Sequence, residues 1–252
     1  MDFIAEAAWC VGGALLIVAA LGVWMRLTEI RARRTVRRTP PTPIGSWRPG
    51  RGPVAGQGFT DYGPAGPQTA PLTGFDCTWY RFTLQRVTSR AGADGESSTE
   101  LLVELESPAW PAFADETGRA ALDPSMLDIE SQSDRRITET RTVRYHTGRP
   151  VPLPSLVPAA AVRDLDSEQW LMLTEVRVRQ GKVAYALGRV RGPAVALAPN
   201  KRGYSVCTTD NRDQVIANRD EAAETNRFGA KFLLILGLLI IAAGKAVSYL
   251  GS

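Results

Sequence analysis

The chain has 252 residues but only one histidine and three cysteines, so the side chains best suited to nucleophilic or metal chemistry are His146, Cys10, Cys77 and Cys207. A closed zinc site takes four ligands, which puts a multi-zinc array out of reach. A thiol-dependent hydrolase would use Cys77 or Cys207 with His146. It would also need an orienting acid within hydrogen-bond reach of the imidazole. His146 sits in Tyr145-His146-Thr147-Gly148-Arg149, where a strand gives way to a turn, with no nucleophile-elbow motif beside it. Cys77 opens an apolar strand, where a thiol ordinarily fills core. Asp115-Glu116-Thr117-Gly118 sets acids beside a glycine but lacks the alternating oxygen ligands of a calcium loop. A hairpin reading accounts for it, with Asp115 accepting a local backbone hydrogen bond. Arg189-Val190-Arg191-Gly192-Pro193 lacks the lysine and hydroxyl of a phosphate loop. The expectation is a binding protein without metal, cofactor or catalytic residue.

Whatever positions these residues is held between two apolar ends. Residues 7–25 carry no charge, and at 1.5 Å per residue they make roughly 28 Å of helix, about the thickness of a bilayer's hydrocarbon core. Residues 1–6 then lie outside the cytoplasm. Asp2 and Glu6 argue against a cleaved leader, whose start is positively charged. A second span is expected at 232–250. Its uncharged part, Phe232–Gly244, is short, so Lys245 must carry its ammonium to the interface, where Tyr249 also belongs. Six arginines follow the first span (Arg26, Arg31, Arg33, Arg34, Arg37 and Arg38) against a single Glu29. By the positive-inside rule this side is cytoplasmic and both termini point outward. The remainder of the chain holds 24 basic and 25 acidic residues, so the basic excess belongs to the membrane neck. Contact with anionic headgroups through Arg31, Arg33, Arg34, Arg37 and Arg38 explains it without nucleic acid.

Residues 26–52 are expected to be a basic juxtamembrane segment and linker. Eight prolines and seven glycines between Pro40 and Pro71 disfavour helix, although Pro53–Phe59 can form an edge strand or turn. Beyond Pro71 the pattern alternates with period two, most clearly over Cys77–Val87. Further strands are expected at Glu100–Glu106, Ile137–Tyr145, Leu171–Arg179 and Val183–Val190, with turns at Gly95, Thr117-Gly118, Gly148 and Gly181, and a short helix within Val157–Asp166. The fold class is mainly β: one compact antiparallel β domain over 53–210 flanked by transmembrane helices, with a charged helix at 211–231 leading into the second span.

Three stretches, in this order, resemble the GIDE or "beside a membrane" (BAM) domain family, found in RING-type mitochondrial ubiquitin ligases and in bacterial membrane proteins. They are Ala70-Pro71-Leu72-Thr73-Gly74-Phe75-Asp76-Cys77-Thr78-Trp79-Tyr80-Arg81, Phe113-Ala114-Asp115-Glu116-Thr117-Gly118-Arg119-Ala120, and Leu173-Thr174-Glu175 through Gly181, Tyr185 and Gly188. The resemblance covers about Pro53–Val206 and implies partner or ligand binding next to the membrane. The family's ligases carry a RING domain, which needs eight Cys or His ligands, and this sequence holds four such residues. Ubiquitin transfer is therefore the rival reading, and an unidentified membrane or cytoplasmic protein is the expected partner. Trp79 and Tyr80 are expected on opposite faces of one strand. Gly181 suits a tight turn and Gly188 a close backbone approach.

Overall fold

The computed structural model describes residues 2–50, 52–89, 97–127, 135–147, 153–192, 195–201 and 203–250. The turns expected at Gly95 and Gly148, like Pro193 and Arg149, lie outside the described residues. Three helices occur among them: α1 (Asp2–Arg38), α2 (Ala159–Arg163) and α3 (Arg212–Leu250). The chain divides into two compact units. A helical unit comprises Met1–Thr39, Arg202–Tyr204 and Arg212–Ser252, and a β unit comprises Pro40–Lys201 and Ser205–Asn211.

In the helical unit α1 and α3 run antiparallel: Gly12 meets Gly237 and Ile241, Gly22 meets Ala230, and Arg212 donates to the carbonyl of Val36. Small residues recur every seventh position along α3, at Ala223, Ala230, Gly237 and Gly244, and two of them, Ala230 and Gly237, face Gly22 and Gly12. A Cβ on Gly12 would stand 2.4 Å from Ile241 Cγ1, so glycine is what allows the backbones to approach this closely. Both helices are long and apolar enough to cross a membrane. The basic juxtamembrane segment forms the last three turns of α1, because Arg26–Arg38 contains neither proline nor glycine to stop the helix. The segments 211–231 and 232–250 likewise form one continuous helix.

The β unit has twelve strands among the described residues: β1 (Val54–Asp61), β2 (Gln68–Thr69), β3 (Asp76–Cys77), β4 (Trp79–Ser89), β5 (Ser97–Glu106), β6 (Ala112–Asp115), β7 (Gly118–Leu122), β8 (Thr138–Tyr145), β9 (Gln169–Val178), β10 (Val183–Arg191), β11 (Ala196–Ala198) and β12 (Val206–Thr208). One sheet runs β1-β6-β7-β11-β10-β12, and β1 pairs back onto β10, which closes it into a small barrel. All pairings are antiparallel except β7 with β11. A second sheet runs β5-β4-β9-β8.

Strand alternation places β4 between two cores. Trp79 enters the barrel core with Trp47, Phe113, Leu122 and Leu197. Tyr80, Phe82 and Leu84 face a second core with Leu171 and Leu173, covered by Ala161 and Leu165. The opposite-face expectation for Trp79 and Tyr80 therefore holds, with Trp79 fully buried and Tyr80 half-buried.

The Pro/Gly-rich stretch is not a linker. Ile44 and Trp47 are buried in the barrel core, and β1 is paired on both sides, with β6 and β10, so it is no edge strand. A Cβ on Gly56 would lie 2.7 Å from the Trp47 ring and one on Gly58 2.2 Å from the Ala114 carbonyl oxygen. These glycines serve close packing rather than flexibility. Asp115 explains the attachment. One carboxylate oxygen takes hydrogen bonds from the Thr117 N–H (2.8 Å), the Thr117 hydroxyl (2.6 Å) and the Gly118 N–H (3.0 Å), while the other accepts from Ile44 N–H (2.8 Å). Burial alone would raise the Asp115 pKa, but these bonds overbalance it and hold the carboxyl below its ordinary range. Gly118 has no left-handed φ; its role is the close approach to Gly45 Cα.

Candidate functional site

The motifs at Pro71–Gly74 and at Glu175, about a hundred residues apart in sequence, meet on one face of the second sheet. Leucines 171 and 173 point into the second core, so Glu175 and Arg177, further along β9, project from the same face. There the 70–75 turn covers them. Gly74 adopts φ +70°, open to glycine at little cost, and its N–H bonds to Ala70 C=O at 2.8 Å. Glu175 is fully buried and clasps this turn: Oε2 accepts from Leu72 N–H (2.7 Å) and Thr73 N–H (3.2 Å), and Oε1 accepts from the Thr73 hydroxyl (2.6 Å).

Arg177 lies beside it, with Nη1 3.9 Å from Glu175 Oε1 and 2.7 Å from Thr73 Oγ1. Its Nε and Nη2 donate to Glu139 Oε2 at 3.2 and 3.0 Å, and Phe75 lies over the guanidinium at 4.6 Å. Glu139 is also paired with Arg179 (2.7 Å) and Lys182 (3.2 Å). Burial would raise its pKa, but the hydrogen bonds from Arg177 and Lys182 and the charge of Arg179 outweigh that and hold the carboxyl below its usual value.

Register completes the pattern. Glu139 stands opposite Arg177 and Arg141 opposite Glu175, two cross-strand pairs of opposite charge on one face. A cleft of about 630 Å³ opens over them, lined by Leu72, Phe75, Glu139, Arg141, Val143 and Arg177. Arg141 is exposed and has no hydrogen bond or ion pair among the described residues, whereas all three nitrogens of Arg177 are engaged. The cleft thus offers one available guanidinium, an exposed phenyl ring and an aliphatic wall, set on a rigid charged floor. Among the described residues its lining holds no cysteine, serine or histidine.

The thiols and the histidine do not converge on a site. Cys77 is buried, its thiol 3.4 Å from Gln68 C=O, and burial together with the negative charge of Glu175 pushes its pKa to about 11. Cys207 lies in the barrel core opposite Ala186, and burial pushes it to about 12. Both shifts disfavour thiolate, the reverse of an activated nucleophile. His146 stacks near Trp170 with ring centroids 5.8 Å apart. Among the described residues no group of three His, Cys, Asp or Glu side chains is placed to hold a metal ion.

The remaining motif residues are structural. Arg81 lies over the Trp79 ring and pairs with Glu104 and Glu106, while Trp79 Nε1 donates to Glu106. Tyr185 is buried in β10. Gly181 turns with φ +75°, and a Cβ on Gly188 would lie 2.6 Å from Ala198 C=O, so each serves the role expected of it. The arginine cluster divides. Arg33 and Arg37 pair with Asp220, the first very closely, and Glu29 pairs with Arg219 at 3.1 Å. Arg31, Arg34 and Arg38, at helical spacing on one exposed stripe of α1, have no such partner.

Sequence reading misses Thr73, Phe75, Glu139, Arg141 and Arg177 as site residues. The available signal was the E-x-R order shared by Glu139–Arg141 and Glu175–Arg177, which antiparallel pairing turns into complementary pairs. Comparison with protein-family models, curated proteins and solved structures returns no match.

Proposed function

We propose that the chain is a two-span protein of the inner (cell) membrane whose β unit stands on the cytoplasmic side as a binding module of the GIDE/BAM kind, and that the β8–β9 cleft is where it engages a membrane or cytoplasmic protein. The cleft carries the reading: three separated sequence stretches are spent on building a rigid floor from Glu175, Arg177 and Glu139, while Arg141 and Phe75 stay available. Solvated loops need no such clasp. The helices supply two candidate spans, and the arginine-rich end of the first supports a cytoplasmic β unit by the positive-inside rule. Tethering at both ends raises the module's effective concentration toward other membrane components.

Two measurements test this. A photo-crosslinking residue at Phe75 or Arg141 in intact cells should yield a discrete adduct that the same residue at Val183, 72% exposed in the barrel, does not. Equal adducts at all three positions, or none, would count against the cleft. Topology cannot be read from the native thiols of the β unit, because Cys77 and Cys207 are each 1% exposed. A Val183→Cys variant should react with a membrane-impermeant maleimide only after the membrane is opened; labelling of sealed cells would reverse the orientation.

A further inference from the structure

We infer that the ligand of the cleft is an extended peptide segment that adds to the free edge of β8, setting a carboxylate on Arg141 and an apolar side chain two residues away against Leu72 and Val143. The inference rests on the cleft being the binding site of the β unit.

β8 ends its sheet. β9 pairs along Thr138–Tyr145 on one side and, among the described residues, no strand pairs on the other. Its eight residues contain no proline, so the outer edge presents a regular row of backbone donors and acceptors, the surface used in strand addition. Side chains at spacing two, Glu139, Arg141 and Val143, share the face of Arg177 and Leu173.

Their chemistry differs in order. Glu139 is occupied by Arg177, Arg179 and Lys182, Arg141 is a cation awaiting an anion, and Val143 packs on the second core. A guanidinium without a counter-ion receives a carboxylate through two parallel hydrogen bonds. One available cation matches one carboxylate; a phosphate would call for several donors and would stand beside Glu139.

The chain's own opposite edge, β5, does not fit. Its Glu104 and Glu106 lie in the rows of Thr142 and Thr140, on the other face from Arg141, and are paired with Arg81. Glu100, in the row of Tyr145 and on the face of Arg141, is already paired with Arg86 at 3.3 Å, so a second copy adding β5 to β8 would bring no unpaired acid to the cleft.

The test uses the full chain in lipid nanodiscs and fluorescent hexapeptides Thr-X-Thr-Glu-Thr-X, with X any of Val, Leu, Ile or Phe, read by polarisation. The expected result is at least one member that binds tenfold or more tightly than its counterpart with Gln for Glu. Methylating alternate backbone nitrogens should weaken that member more than tenfold. Arg141→Gln should remove the Glu-over-Gln preference, leave the Gln peptide's affinity within twofold and keep the melting temperature unchanged, because Arg141 is exposed and pairs with nothing among the described residues. Equal affinity of Glu and Gln peptides, indifference to N-methylation, or no saturable binding by any member would overturn it. So would an Arg141→Gln chain that self-associates with peptide binding unaltered, which would make Arg141 only an edge charge that keeps sheets apart. A Phe75 crosslink in cells without peptide binding would sink the peptide assignment alone; absence of both would sink the cleft as well.

Discussion

Replacing Glu175 with glutamine probes the clasp most directly, since the side chain keeps its size and loses only its charge and one acceptor oxygen. The carboxylate accepts three hydrogen bonds, from Leu72 N–H, Thr73 N–H and the Thr73 hydroxyl, and has Arg177 at 3.9 Å. An amide offers one acceptor oxygen and turns an NH₂ group toward the remaining donors. Hydrogen bonds to a charged group contribute about 1.5–3 kcal/mol each, so losing one or two costs about 1.5–6 kcal/mol. That agrees with the roughly 3–5 kcal/mol of breaking a buried ion pair. We expect about 3 kcal/mol, which for a unit of this size lowers the melting temperature by about 6–12 °C. Urea unfolding of the full chain in nanodiscs, followed by tryptophan fluorescence, measures it. Thr73→Val should cost less, and Glu175→Gln with Arg177→Met in a double-mutant cycle should couple by about 1 kcal/mol or more. A Glu175→Gln chain within 0.5 kcal/mol of the parent, or strictly additive costs in the cycle, would refute the clasp.

Stability should form a plateau in pH. Asp61, held low first by the Gln180 hydrogen bond, joins Asp115 and Glu139 with pKa values below the ordinary 3.8 and 4.5. Their contribution is complete above those unfolded values and is lost as pH falls through the lower folded ones. Cys77 and Cys207 shift up from 9.0 to about 11 and about 12, so their limb is intact below 9.0 and falls as pH rises through the folded values. Denaturation midpoints across pH 2–11 should be flat from about 5 to 9, and a decline beginning at pH 7 would contradict this. Gly22→Leu, whose first added carbon already meets Ala230 Cβ at 3.1 Å, should separate α1 from α3. In a Cys10→Ser chain it should reduce bis-maleimide crosslinking between cysteines placed at Glu29 and Arg219, and undiminished crosslinking would count against the tight seam. On an upright helix Arg31 stands about 9 Å beyond Met25 and Arg38 about 20 Å, against a headgroup layer of roughly 5–8 Å. Arg31→Gln should therefore slow hydrogen exchange less in phosphatidylglycerol nanodiscs relative to neutral ones, whereas Arg38→Gln should change nothing; equal effects would place the whole stripe on lipid.

Strands were legible where β-branched, aromatic and polar residues alternate over a run of seven or more. β4, β5, β8, β9 and β10 each fall within a few residues of the alternating runs, and α3 begins where the charged, alanine-containing segment does. Beyond β10 and the β6–β7 turn, the barrel was not legible, because its shortest strands carry no pattern: Val206-Cys207-Thr208 is buried at every position and has no alternation to read. Pro40–Pro71 misled for a related reason, since glycine marks flexibility and close approach alike, and Trp47 decides between them only in three dimensions. Within the site, Glu175, Pro71 and Gly74 were found through the resemblance, whereas Glu139, Arg141 and Arg177 depend on which strand pairs with β9, a fact no single run of residues carries.

Arg177 bears on what the cleft is for. Its side chain is 9% exposed, and replacing a buried ion pair as a whole by apolar residues of similar size is often neutral or stabilising, so stability alone gives little reason for a charged network there. Position gives a better one. Arg177 reaches Thr73 with Nη1 and Glu139 with Nε and Nη2, and its plane carries the Phe75 ring. One rigid fork therefore sets the turn, the adjoining edge strand and the exposed aromatic relative to one another. A methionine would fill the space but leave Phe75 and β8 to move independently. The charge network thus fixes the geometry of one face of the sheet, which is what the proposed binding role requires.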